Sequence, residues 1–343
     1  MADDVLITGA TGFVGSAILD RLVARGSRVR ALTRTPEGEA TLRERGAEPV
    51  RGDILDRPSL RTAFEGADVV YHVAGANAFC LPDPSPLYSM NVDGTRAVVD
   101  AAADAGVRRI VYTSSAATIG EATGVHADET TPHRGEFLSH YERSKWEAEI
   151  VALETADRRG VELICVNPAS VQGPGRVRGT AKLLIGYLNG TLKALIDSQM
   201  SVVDIDDCAE GHLLAETNGV PGERYILSGA TLTVREAVEL MGSVAGITDP
   251  PRVIPARAAT ALASVTGTVG RIRRRRAPLC TEMMRTLLHG HAYDGSRATS
   301  DLGLRYTAIE DTLRRTYDWY VANGHVRPRD GAAPETTAES EPA

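Results

Sequence analysis

The sequence predicts an α/β protein, a doubly wound parallel sheet followed by a smaller, mostly C-terminal lid. Three observations carry that prediction. Short β-branched apolar runs alternate with helical stretches through the first 170 residues. A glycine-rich turn joins the first run to the first helix, and after Pro168 the alternation loosens into loop, helix and short strand. Strands alternating with helices build a parallel sheet covered on both faces, with right-handed crossovers and ligands at the C-terminal strand ends.

Strands are expected at Val5–Thr8, Arg28–Thr33, Glu48–Arg51, Asp68–Ala74, Arg108–Ser114 and Val161–Asn167, all short and rich in β-branched residues. Between them, Phe13–Arg25, Leu87–Ala105 and Tyr141–Arg159 carry helical spacing. Gly173-Pro-Gly175 and Arg176–Thr180 read as loop, and Ala181–Gly190 as a helix closed by Asn-Gly. A strand pair is expected at Ser201–Ile205 and Glu223–Ser228, with helices at Val234–Ala245 and Ala308–Asn323. Residues 1–170, with elements of 201–230, therefore form the larger unit; 171–200 and 231–327 form the lid. Residues 328–343 are rich in Pro, Ala, Glu and Thr and read as a disordered tail. There is no internal repeat.

The 343 residues are 43% hydrophobic and include 33 glycines, which excludes a wholly disordered chain. Lys+Arg total 38 against Asp+Glu 45, a net charge of −7, which argues against a nucleic-acid partner. Cys80, Cys165, Cys208 and Cys280 lie far apart with no C-x-x-C pair and no histidine at ligand spacing. Reduced, structural thiols and no metal are expected. No apolar stretch is long enough to span a bilayer, and Met-Ala-Asp-Asp is no signal peptide, so the expected location is the cytoplasm. Arg271-Ile-Arg-Arg-Arg-Arg276 follows the apolar, amphipathic Ala258–Val269 and reads as a solvated loop between two lid helices; the alternative is contact with a membrane surface or an anionic partner.

Thr8-Gly-Ala-Thr-Gly-Phe-Val-Gly15 lies directly between the first strand and the first helix. Gly9, Gly12 and Gly15 permit a tight turn, close approach of phosphates to backbone, and helix-on-strand packing. The helix N-terminus offers free N–H groups to a pyrophosphate, so this is a dinucleotide site. The second strand ends on Thr33-Arg34 where an NAD-preferring site has a carboxylate. The forked cation of Arg34, with no nearby acid to repel it, suits a 2′-phosphate and favours NADP(H) over NAD(H). Asp53, after the third strand, reads as an acceptor for the adenine amino group or as an N-cap.

Tyr141 and Lys145 stand four residues apart on one helix face. An ammonium near a phenol lowers its pKa, so Tyr141 can exchange the proton that accompanies hydride transfer. Val111-Tyr-Thr-Ser-Ser115 brings a hydroxyl cluster to the C-terminal edge of the fifth strand, where Ser115 can hold a substrate oxygen.

These pieces together resemble an extended short-chain dehydrogenase/reductase of the NAD-dependent epimerase/dehydratase family, within its dihydroflavonol-4-reductase-like and hopanoid-associated sugar epimerase-like group. The resemblance rests on Thr8–Gly15, Asp53-Ile54, His72-Val-Ala-Gly75, Asn91-Val-Asp-Gly-Thr95, Tyr112–Ser115, Tyr141–Lys145 and Asn167-Pro-Ala169, in family order. Weaker similarity continues through Asp204–Asp207 and Gly222–Ser228. It implies a Rossmann domain and a Ser115–Tyr141–Lys145 triad with Tyr141 as acid/base. It also implies cofactor contacts at Thr11, Phe13, Val14, Ile54, Val73, Ala74, Gly75, Thr113, Pro168 and Val171. Asn91 would brace the sheet. His72 departs from the Asn-Ala-Gly common in the family and reads as a packed histidine.

The expected function is NADP(H)-dependent interconversion of a carbonyl and an alcohol on a small organic substrate. A nucleotide-sugar epimerase with tightly held NAD(P), or a non-catalytic regulator on the same fold, are the alternatives. Ala116-Ala117 after Ser115 speaks against a dehydratase, which needs an extra acid there. Arg176, Arg178 and Lys182 are candidates for binding a sugar diphosphate. Phe79–Tyr88, Gln172–Thr180 and Tyr187 are expected to line the pocket. Ala97, Ala101, Ala105, Ala148 and Ala152 give two helices small-residue faces on which a homodimer is expected to form.

Overall fold

A computed structural model describes residues 4–273, 275 and 279–327. The chain runs β1 (Asp4–Thr8), α1 (Phe13–Ala24), β2 (Arg28–Thr33), α2 (Pro36–Glu44), β3 (Glu48–Arg51), α3 (Arg57–Phe64) and β4 (Val69–His72). Next come α4 (Ser85–Tyr88), a π turn (Ser89–Asp93), α5 (Gly94–Asp104), β5 (Arg109–Thr113), a 3₁₀ turn (Ala116–Ile119), β6 (His126–Ala127), α6 (His140–Arg159), β7 (Glu162–Pro168) and β8 (Ser170–Gln172). The second half holds α7 (Ala181–Leu188), β9 (Ala194–Leu195), β10 (Gln199–Asp204), α8 (Ile205–Asn218), β11 (Arg224–Leu227), β12 (Ala230–Thr233) and α9 (Val234–Ala245). It ends with β13 (Arg252–Val253), α10 (Ala256–Ile272), α11 (Thr281–His289), β14 (Ala292–Tyr293), a second π turn (Ala298–Leu302) and α12 (Ile309–Ala322).

The main sheet has seven strands in the order β11-β7-β5-β4-β1-β2-β3, and every pairing is parallel. Alternation along β1 sorts its side chains between the faces. Val5 and Ile7 join a core with Ile18 and Leu22 of α1 and Ala209 of α8; Leu6 joins one with Val98 and Ala102 of α5 and Ala148 and Ala152 of α6. The order reverses between β1 and β4, which opens a crevice at their C-terminal ends.

Four expectations are corrected here. Ser201–Ile205 and Glu223–Ser228 both contain strands, but they do not pair with each other. β11 extends the main sheet beside β7, while β10 pairs with β12 and β8 in a separate three-stranded sheet. Helices α2, α3 and α8 were not anticipated as such, whereas α10 and α11 stand on either side of the Arg271–Arg276 run, where two lid helices were expected. The unanticipated α2 and α3 span only nine and eight residues, and Gly211 interrupts α8. Of the alanines expected to form a dimer face, Ala97, Ala148 and Ala152 are buried where α5 packs on α6 within one chain, and Ala101 and Ala105 are half-buried. Lastly, Cys80 and Cys280 form a disulfide with a Cα–Cα distance of 5.7 Å, while Cys165 and Cys208 are free and buried. The lid folds back so that the N-terminus of α11 meets the loop after β4, a contact 200 residues apart that cysteine spacing cannot reveal.

Among the described residues no helix is long and apolar enough to cross a membrane. Of the Arg271–Arg276 run, Arg274 and Arg276 lie outside the described residues, and so does the expected tail at 328–343. Ile272, at the end of α10, is exposed together with Val265 and Val269.

Candidate active site

The turn between β1 and α1 is built by its glycines. Gly9 has φ +76°, and a Cβ there would stand 2.6 Å from the Ala74 nitrogen. A Cβ on Gly15 would overlap the Gly9 carbonyl, so helix and strand meet only without one. Thr11 and Gly12 are exposed at the tip of the turn, and Gly12 caps α1 without a side-chain hydrogen bond. The first N–H groups of α1, from Phe13 and Val14, therefore face outward as an anion cradle. Val73 and Ala74 are tied to the same turn, their N–H groups donating to the Thr8 carbonyl (3.2 Å) and hydroxyl (3.2 Å).

At the end of β2, Arg34 is exposed, but the Asp53 carboxylate lies 3.7 Å from its guanidinium. The expectation that no acid stands near Arg34 is therefore corrected: the loop after β3 folds alongside the end of β2, its register partner. Asp53 also accepts the Leu55 N–H at 3.0 Å, so it holds its own turn. Ile54 is buried against Gly94 at the start of α5.

Ser115 follows β5 and caps the 3₁₀ turn, accepting the Ala117 N–H at 3.3 Å. Tyr141 is in the first turn of α6, whose N-cap Ser139 accepts from Glu142. The Ser115 side chain favours ionisation of the Tyr141 phenol, and Phe79 packs on its ring at 5.6 Å between centroids. Pro168 and Val171 lie where β7 passes into β8; Asn167 before them is fully buried and donates to the Ser115 carbonyl at 3.2 Å.

Lys145 shares a helix face with Tyr141, and its ammonium is engaged by β5. Its ammonium donates to the Tyr112 hydroxyl and the Thr113 carbonyl, each at 2.9 Å, and lies 4.7 Å from the Tyr112 ring centre. Burial lowers its pKa to about 8. The expected lowering of the phenol by Lys145 is thus not found. Burial raises the Tyr141 pKa, against the opposing pull of the Ser115 side chain and of the Arg176 charge. Arg176, weighed from sequence only for a diphosphate, is the cation that acts on this phenol. Its guanidinium lies 5.6 Å from the Phe13 ring centre, and its Nε is buried with no partner.

The remaining residues are structural. His72 is fully buried between the Thr8 (2.8 Å) and Thr95 (3.0 Å) hydroxyls and stacks on Tyr112; burial lowers its pKa to about 3, as a packed neutral histidine requires. Asn91, in the π turn, clamps both backbone groups of Ala76 and donates to Ser144 at 2.9 Å. Thr113 hydrogen-bonds His212 at 2.9 Å. Tyr187, expected at the pocket, packs in the lid core with Leu184 and Met241.

One group was missed altogether. His289-Gly-His291, which cysteine spacing does not flag, is set beside Glu121 by the fold.

A family model described as the NAD dependent epimerase/dehydratase family matches residues 5–228. The chain is 31% identical over 335 residues to a Synechocystis sp. protein provisionally named a dihydroflavonol 4-reductase, covering 95% of this chain and 97% of that one. It is 28% identical over 340 residues to cinnamoyl-CoA reductase 1 of Petunia hybrida, covering 94% and 93% of the two chains. The crystal structure of gox2253 is similar over 95% of this chain and 100% of its own, with a TM-score of 0.82 and 31% identity. The chain belongs to the NAD dependent epimerase/dehydratase family and is an NAD(P)-dependent enzyme of the extended short-chain dehydrogenase/reductase type.

Proposed function

We propose that this enzyme is an NADP(H)-dependent reductase that converts a carbonyl on a small organic substrate to an alcohol, with Tyr141 as the proton donor. The observation that carries the reading is the phenol itself. Burial holds it protonated, the state an acid needs before it gives up a proton, while the Ser115 side chain and the Arg176 charge favour its ionised form. The names of the two curated relatives, both reductases, lean the same way.

The residues present fit a dinucleotide. Gly9, Gly12 and Gly15 leave the space a Cβ would fill, the N–H groups of Phe13 and Val14 suit the pyrophosphate, and Arg34 suits a 2′-phosphate. When bound, the nicotinamide supplies the hydride. Ser115 orients the substrate oxygen toward Tyr141, which passes its phenolic proton to that oxygen as charge develops there. Arg176 stabilises the phenolate left behind. Lys145, with a pKa near 8, is held by Tyr112 and Thr113 at the edge of β5, where it can bind ribose hydroxyls. Phe79 covers the Tyr141 ring and keeps water from it.

The test is NADPH oxidation over a panel of ketones, aldehydes and thioesters, with the cofactor content of the purified protein read by native mass spectrometry. Exchangeable NADPH and net oxidation are expected. Cofactor that is retained and does not exchange, with no net oxidation, would replace this reading with that of an epimerase.

A further inference from the structure

Glu121, from the segment after β5, meets His289 and His291, 168 and 170 residues further along the chain, beside the β6–β14 pair. Glu121 follows the 3₁₀ turn after β5, six residues beyond Ser115. His289 ends α11, and His291 immediately precedes β14, which pairs in parallel with β6. Their side chains are 1%, 7% and 20% exposed. One ligating atom from each falls within 4.8 Å of the others.

The hydrogen bonds around the group are incomplete in a specific way. Glu121 Oε1 is 2.7 Å from His291 Nδ1 and 3.6 Å from His289 Nε2. Glu121 Oε2 and His289 Nε2 are both buried and have no hydrogen-bond partner. Meanwhile His289 Nδ1 is engaged by the Thr123 hydroxyl at 3.0 Å, which fixes the ring and leaves Nε2 aimed at the carboxylate. The Tyr293 hydroxyl approaches His291 Nδ1 at 3.0 Å and braces that ring. A buried carboxylate oxygen and a buried imidazole nitrogen left unpaired are each costly. One cation among them would satisfy both.

We propose that Glu121, His289 and His291 form a structural divalent-metal site, with zinc the ion best matched to it. Two imidazoles and a carboxylate form a donor set that zinc accepts, in tetrahedral geometry with metal–ligand distances of about 2.0–2.2 Å. That geometry separates neighbouring donors by about 3.3 Å, between the 2.7 and 3.6 Å contacts found around Glu121 Oε1. The site pins α11 and β14 to the segment that follows Ser115, and so fixes the lid against the sheet. It acts on the position of the lid and takes no part in proton transfer.

The test uses the full-length oxidised protein, stripped with chelator and titrated with zinc sulfate, and separately with cobalt(II) as an optical probe. One zinc per chain is expected, with a rise in Tm. Cobalt should give visible bands of a nitrogen/oxygen set, without a thiolate charge-transfer band. His289→Asn and Glu121→Gln should each weaken zinc binding at least about a hundredfold, at the upper end of the losses seen when a site's supporting shell is altered. A thiolate band would move the metal to a cysteine and overturn the proposal, as would wild-type protein that binds no zinc or variants that bind it equally well. Should a variant fail to fold, the cobalt spectrum of the wild type decides.

Discussion

Lowering the pH from about 7.5 to about 5 places a load on two histidines that this fold buries without charge. Burial lowers the pKa of His72 to about 3, with the Lys145 charge adding to the effect, and lowers that of His212 to about 4, from an ordinary 6.5. Because both folded values lie below the unfolded one, the unfolded chain binds the proton first. Stability is therefore complete above about pH 6.5 and is lost as the pH falls toward about 4 and then 3. At about pH 5 each histidine contributes a loss of about 2 kcal/mol, from 1.36 kcal/mol per unit over about 1.5 units. The assay is urea unfolding of wild type and His72→Gln at both pH values. Carboxylate titrations are common to the two proteins and cancel in the comparison, so the variant should lose about 2 kcal/mol less than wild type on acidification. Equal losses would show that His72 is not held neutral between Thr8 and Thr95.

Arg34→Ala should weaken NADPH binding by about 1–3 kcal/mol, the scale of a charge-assisted contact, and leave NADH almost unchanged. Asp53→Asn should tighten NADPH, since the carboxylate 3.7 Å from Arg34 competes with the 2′-phosphate; calorimetric titration of both cofactors checks both variants, and a wild type that prefers NADH refutes the assignment. Cys80→Ser, or reduction of the wild type, should lower unfolding stability by about 3–5 kcal/mol, because the closed loop is long. Unfolding that is indifferent to reductant would mean that Cys80 and Cys280 are not bonded in the folded protein.

Local features of this molecule were legible and distant ones were not. Gly9, Gly12 and Gly15 announce their turn because the constraint is steric and lies within eight residues. Tyr141 and Lys145 announce a shared helix face, yet the spacing says nothing of which acceptors the ammonium will choose, and Tyr112 and Thr113 on β5 take it. The Arg176 charge bears on the phenol from the loop after β8, which lays the guanidinium over Phe13. Cys80 with Cys280, and Glu121 with His289 and His291, are brought together by the return of the lid. The inward alanines of α5 and α6 teach the same lesson in reverse. A small-residue face shows that something packs closely, and only the tertiary fold shows that the partner is the chain's own helix.

The central claim is that Tyr141 donates the proton that accompanies hydride transfer, and Tyr141→Phe tests it most directly, because it removes only the phenolic oxygen and leaves the ring on Phe79. Turnover of a reducible carbonyl should be measured alongside NADPH affinity in wild type and variant. General acid catalysis is worth about 10²–10⁴-fold, so turnover should fall at least about a hundredfold while NADPH binding stays unchanged. Turnover close to wild type would contradict the account and move the proton source elsewhere, with His140, beside Tyr88 at 3.1 Å, the first residue to replace.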